Sequence, residues 1–189
     1  MSIRYLTSKS ISFGFVCKTA SLLFQKKMKQ PDRSQHCGCY IFIMIQYTCY
    51  KQNREVSTET ENKITAFLFT HLEQYGDPKS DIQKCMDYTL CRNGKPGGLL
   101  LTAEDRGTMV GAVVINFTGM EDYIPENILV YIATHNAYRG QGIGKRLMHM
   151  AIEHTQGNIA LHVEPDNPAR KLYEKLGFTN KYLEMRLNK

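Results

Sequence analysis

The segment RGQGIGKRLM, Arg139 to Met148, places Gly140, Gly142 and Gly144 directly ahead of a helical pattern and flanks them with Arg139 and Lys145. Backbone N–H groups at a helix start lack acceptors within the helix and lie at the positive end of its dipole, so such a turn holds an anion. The glycines let a ligand approach the main chain closely. Each dipole contact contributes roughly 0.3 to 1 kcal/mol at a surface, so useful phosphate affinity needs several amides acting together. Nucleotides, dinucleotides and coenzyme A all carry a suitable anion. A nucleoside-triphosphate loop would need glycine where Arg139 stands and Ser or Thr where Arg146 stands. The dinucleotide fingerprint needs GxGxxG, whereas the spacing here is GxGxG. A purely mechanical alternative is a tight strand-to-helix turn, which has no need of the flanking arginine and lysine.

The elements that must position this turn begin near Met44. Ile45 to Tyr50 alternates like a half-buried strand, and Thr58 with Glu61 forms a capping box ahead of the helical run ENKITAFLFTHLEQY, which Gly76 and Pro78 stop. Ser80 with Gln83 opens a shorter helix through about Leu90, and NGKPGG turns the chain. GLLLTAE and TMVGAVVINF, joined by DRG, predict an antiparallel hairpin. NILVYIAT is apolar almost throughout and predicts a strand buried on both faces. Behind the glycines, Ile143, Leu147 and Ala151, with Met148 and Ile152 alongside, form a stripe that packs on a sheet, while Lys145, Arg146, His149 and Glu153 face water. Gly157 ends this helix. A strand NIALHVE, a helix PARKLYEKL and a strand-like tail KYLEMRLN complete the order β, α, α, β, β, β, α, β, α, β, an α+β layered structure without internal repeats.

Two motifs together carry a family resemblance. Arg139, Gly142 and Gly144 match the R/QxxGxG/A signature of the GNAT acetyltransferases, and NPARKLYEKLGF, Asn167 to Phe178, resembles that family's second signature. The resemblance spans roughly Met44 to Lys189. It implies a mixed, mostly antiparallel central sheet flanked by helices, with a splayed strand pair forming a cleft for acetyl-CoA. In that cleft the amides of Gln141, Gly142, Ile143, Gly144 and Lys145 would hold the pyrophosphate, with Arg139 and Gly140 also among the residues that bind the coenzyme. Main-chain groups around Ile132 and Thr134 would pair with the pantetheine arm, and Asn167 would contact it from the other side. Asn167 also reads as an N-cap, with Pro168 at the first helical position.

Acetyl transfer to an amine needs the amine neutral, which for a lysine-like acceptor at pH 7 costs about 4.6 kcal/mol. A base supplies this step, a backbone N–H stabilises the oxyanion, and an acid protonates the departing thiolate. By resemblance Tyr173 is the acid, although Ala169, Leu172, Tyr173 and Leu176 also fall at the spacing of a core helix. Two residues are candidates for the base: Glu126, thirteen residues before Arg139, and His162, where ribosomal-protein alanine acetyltransferases carry a glutamate. Glu164, His135, Tyr131 and water stay open. The activity expected is N-acetyl transfer from acetyl-CoA to a primary amine of a small molecule or a protein; the alternative is a catalytically silent acetyl-CoA-binding sensor.

Composition supports one domain with a leader. Of 189 residues 42% are hydrophobic, enough for a sizeable single core. The formal charge of +6 resides in residues 1–43, where seven basic side chains meet Asp32 alone; the remaining 17 basic and 17 acidic residues cancel. Residues 1–43 are expected to be disordered or upstream of the true start, and 44–189 to form the acetyltransferase domain. The apolar pieces of the leader fall far short of the roughly 20 residues of a membrane span. Its serine-rich, acid-poor composition is also that of a transit peptide. The six cysteines lack regular spacing, so reduced thiols and a cytoplasmic location are expected. No metal is expected, since HCGC at His36, Cys37 and Cys39 has no second pair at zinc spacing. The partners expected are acetyl-CoA and an amine acceptor, with neither nucleic acid nor membrane; a homodimer is left open.

Overall fold

A computed structural model describes residues 44–51 and 56–187. The leader and its HCGC segment lie outside the described residues. Five strands form one sheet in the order β1-β2-β3-β4-β5. They are β1 (Ile45–Tyr50), β2 (Gly98–Asp105), β3 (Thr108–Phe117), β4 (Asn127–Thr134) and β5 (Ile159–Leu161). The first four pair antiparallel, and β5 runs parallel to β4. Helices α1 (Thr58–His71) and α2 (Lys79–Thr89) cover one face of the sheet; α3 (Ile143–His154) and α4 (Arg170–Lys175) cover the other. This is the α+β arrangement expected from the order of elements.

The hairpin of β2 and β3 turns through Arg106 and Gly107 alone, both at positive φ, the two-residue geometry that matches strand twist. Leu99, Leu101, Val113 and Ile115 then point to the α3 side, while Leu100, Ala112 and Val114 meet Ile64, Leu68, Ile82 and Met86 of the first two helices. Gly111 lets α3 lie close, because a Cβ there would stand 2.8 Å from Leu147 Cδ1. Ile143, Leu147, Met148 and Ala151 are buried as expected. Ile152 instead faces solvent and Met150 takes its place in the core.

The apolar run of β4 is indeed used on both faces. Val114 pairs with Tyr131 and Ile115 with Leu129, so Val130 has no partner and bulges. The bulge switches the alternation, placing Leu129 with the α3 core and Tyr131 and Ala133 with the α1–α2 core. Directly before the bulge the ladder to β5 ends, after three pairs from Asn127↔Ile159 to Leu129↔Leu161. The two strands are paired at one end and free at the other.

Several local expectations are corrected. The cap of α1 is Ser57, whose Oγ accepts from Thr60 N at 3.2 Å. Glu61 is released from that task and is buried, accepting from Arg92 at 2.7 and 3.0 Å and from Gln83 at 2.5 Å. The Arg92 guanidinium holds its carboxyl below the usual carboxylate range. Gln83 therefore ties α2 to α1, and α2 starts at Lys79 after Pro78 without a side-chain cap. The strand expected over 158–164 is confined to Ile159–Leu161, and the tail at 181–187 forms no strand. A strand requires a neighbouring ladder, and Tyr182, Leu183, Met185 and Leu187 stand out in solvent instead. No helix among the described residues is long and apolar enough to cross a membrane, and none of their His, Cys, Asp and Glu clusters has three members placed to hold a metal.

Candidate active site

The opening between β4 and β5 is a cleft of about 1190 Å³, floored by β4 and walled by the glycine turn, α4 and the chain around Asp77. Of the site residues nominated by sequence, all but Gln141, Glu126 and His135 line it.

The turn is built outward from the end of β4. His135 N donates to Val110 O, so in the alternation of an antiparallel ladder Ile132 and Thr134 aim their main-chain groups away from β3 and into the cleft. The chain then makes a short 3₁₀ turn, Asn136–Tyr138, anchored by the Tyr138 hydroxyl on Asp105 Oδ2 at 3.0 Å. Gly140 and Gly142 take φ of +75° and +87°, and an added Cβ at either would meet nothing within 4 Å. The backbone there is left-handed and its surroundings are open, the shape of a cradle that receives a ligand. The first helical bond of α3 is Arg146 N to Gly142 O, which leaves the amides of Ile143, Gly144 and Lys145 without helical acceptors. Gly144 sits inside the helix, where a Cβ would touch Thr134 Oγ1 at 3.4 Å. Lys145 is exposed beside these amides.

Arg139 borders the cleft. Its side chain braces the turn, with Nε donating to Thr134 O at 3.2 Å and Nη2 to His71 O at 3.3 Å and to Glu73 Oε1 at 2.9 Å. It thus fastens the end of β4 to the end of α1. Gln141 turns its amide back to Ala137 O at 3.2 Å. Asn167 follows the capping reading, its Oδ1 accepting from Ala169 N at 2.9 Å ahead of α4, while still bordering the cleft.

Tyr173 projects from α4 into the cleft wall, packed edge-on against Phe178 with ring centroids 5.9 Å apart. Burial pushes its phenol up to about 12, so it keeps its proton throughout the neutral range. His162 follows the last residue of β5, is largely exposed to the cleft, and has Nε2 3.8 Å from Glu184 Oε2. Glu126 lies elsewhere. Its carboxylate accepts from Asn158 N at 2.6 Å and tethers the start of β4 to the loop after α3. Backbone N–H bonds, its own and that of Asn158, hold this carboxyl below its usual range. Glu126 thus lies outside the cleft lining, engaged as a tether.

Sequence reasoning missed three residues here. Asp77, between α1 and α2, accepts from the Tyr131 hydroxyl at 2.7 Å, and Glu184 and Arg186 of the tail border the same cleft. For Asp77 no local signal exists, since its partner is 54 residues away. For the tail the alternation of Tyr182, Glu184 and Arg186 against Leu183, Met185 and Leu187 was visible, but as a strand pattern. His71 also borders the cleft, its ring 4.5 Å from that of His135. Burial first, then His135 and Arg139, push its imidazole below the usual histidine range.

The family model described as an acetyltransferase (GNAT) domain matches residues 96–180. A mycothiol acetyltransferase of Corynebacterium glutamicum strain R is 36% identical over 75 residues, which are 36% of this chain and 26% of that protein. The chain therefore spans about a quarter of the curated relatives it matches. Among solved structures, a ribosomal-protein-alanine N-acetyltransferase from Brucella melitensis superposes with a TM-score of 0.53 at 18% identity, covering 76% of this chain and 98% of the other. Aminoglycoside N-acetyltransferase AAC(6')-Iy, solved with CoA, gives a TM-score of 0.57 at 13% identity, covering 77% and 94%. At these identities the structural likeness speaks for the fold.

Proposed function

We propose that this chain is an N-acetyltransferase of the GNAT kind, moving an acetyl group from acetyl-CoA to a primary amine, a reading supported by the match of the acetyltransferase (GNAT) family model to residues 96–180. The observation that carries this reading is the cradle at Gly140 and Gly142, with the unaccepted amides of Ile143 to Lys145 at the open end of the β4–β5 wedge. The fit is specific to a long ligand with an anionic centre. Three amides and Lys145 take the diphosphate, and the outward main chain of Ile132 and Thr134 takes an amide-bearing arm as an added strand would be taken. Arg139 acts behind the turn as a brace. Acetyl-CoA, when bound, supplies the activated acetyl thioester.

The protein supplies proton handling and orientation. His162, facing the cleft with its Nε2 3.8 Å from Glu184 Oε2, takes the proton of the incoming ammonium directly or through water. An N–H of β4 near the bulge at Val130 donates to the acyl oxygen as charge develops there. Tyr173, protonated because buried, directs its O–H at the developing sulfur charge. Residues 44–189 act as the catalytic domain. The reading includes a cytoplasmic setting, in which Cys85, its thiol pushed up to about 11 by burial, stays protonated and unreactive. The reading requires no nucleic acid, membrane or second copy of the chain. Thiol release from acetyl-CoA in the presence of an amine panel tests it. Turnover with at least one amine is expected, whereas affinity for acetyl-CoA without turnover on any acceptor would reassign the chain as a silent binding module.

A further inference from the structure

The cleft is electrically divided. Lys145 at the turn and Lys171 and Lys175 on α4 border the end that receives the anionic coenzyme, whereas Asp77 and Glu164 border it without a basic side chain bonded to either among the described contacts. Arg186 is bonded to Glu184 and also acts on Asp77 through space, so one guanidinium faces two carboxylates and this part of the lining keeps a net negative charge. Asp77 also differs from an ordinary surface acid. The ring of Tyr131 is buried in the α1–α2 core, and its hydroxyl fixes one carboxylate oxygen of Asp77 at 2.7 Å. The carboxylate is thereby held in place at the cleft wall. On the same stretch of β4, Ile128 and Val130 are half-buried and apolar and also line the cleft. A fixed negative charge beside an apolar strip suits a cation carried on methylene groups.

We propose that Asp77, fixed by the Tyr131 hydroxyl, selects an acceptor that carries a second positive charge a few methylenes from the reacting amine. The inference rests on the acetyl-transfer reading and names the acceptor class for that site. The reacting amine enters towards His162 and becomes neutral there, while the second ammonium keeps its charge and lies against Asp77. The lysines of the coenzyme end repel the same cation, so the division of charge sets the direction in which the acceptor lies.

Calorimetry on the full chain saturated with coenzyme A tests this with a matched pair, 1,4-diaminobutane and 1-aminobutane. The diamine is expected to bind about fivefold more tightly, the scale of one partly exposed ion pair, and the preference should shrink with added salt. Asp77→Asn is expected to abolish the preference while leaving coenzyme A affinity unchanged; Asp77 is exposed, so the fold tolerates the change. Tyr131→Phe should weaken the preference by leaving Asp77 unfixed. Equal affinity for the two amines, no binding of the diamine, or a preference that survives Asp77→Asn would overturn the inference. Failure of coenzyme A itself to bind would instead strike the acetyl-transfer reading beneath it.

Discussion

The two halves of the cleft are made in different ways. The half proposed for the coenzyme comes from one continuous stretch, Ile132 to Lys145, and its donors are main-chain groups whose direction is fixed by the ladder with β3 and by the start of α3. The half proposed for the acceptor is assembled from side chains on separate elements: Asp77 after α1, Tyr131 on β4, His162 after β5, Tyr173 on α4 and Glu184 in the tail. A backbone site tolerates many side-chain changes and depends on φ and ψ. A side-chain site depends on each residue type and on the packing that holds it.

That contrast can be broken first at Tyr173. Tyr173→Phe is expected to lower kcat by about 100-fold, the low end of acid–base contributions, with the dissociation constant of acetyl-CoA unchanged by calorimetry; an unchanged kcat would remove Tyr173 from the chemistry. The same residue leaves a mark on stability. The unfolded chain releases this proton near pH 10, the buried phenol at about 12. Its contribution is therefore full below pH 10 and lost as pH rises through 12, at about 1.4 kcal/mol per pH unit. Denaturant titrations between pH 10 and 12 should show that slope reduced in Tyr173→Phe.

The backbone half should respond to a single methyl group. Gly142→Ala puts a Cβ on a residue at φ +87°, which costs about 1 to 2 kcal/mol, and the dissociation constant of acetyl-CoA should rise about tenfold with kcat at saturation nearly kept. The smallest effect is expected at Glu126. Glu126→Gln should leave turnover at neutral pH unchanged and lower the melting temperature slightly. Because the folded carboxyl is held low, its contribution exists above the usual carboxylate range and fades as pH falls through the lowered value. The difference in melting temperature between the two proteins should therefore vanish in acid.

The same contrast explains what could be read without a structure. Gly140, Gly142 and Gly144 announce a main-chain site because glycine spacing and helix onset are local properties, and the order of elements around them followed from periodicity of two and 3.6. Ser57 rather than Thr58 as the cap, and Glu61 as a buried tie to Arg92, were not legible, since both depend on where α2 lies. Glu126 and His162 looked alike as acids or bases beside the cleft. Only the loop at Gly157 and Asn158 separates them, by capturing the first and leaving the second free to face the cleft. Asp77 was invisible because its meaning comes from Tyr131, across the fold.

The unpaired Val130 makes the length of β4 as consequential as its composition. Deleting Val130 would restore an unbroken two-residue beat, leaving Leu129 opposite Ile115 and Tyr131 opposite Val114 on the faces they already occupy, and is expected to let the pairing with β5 run on past Leu161. The mouth of the cleft is thus held ajar by a single extra residue, and homologous replacements of this strand should conserve its residue number before they conserve its side chains.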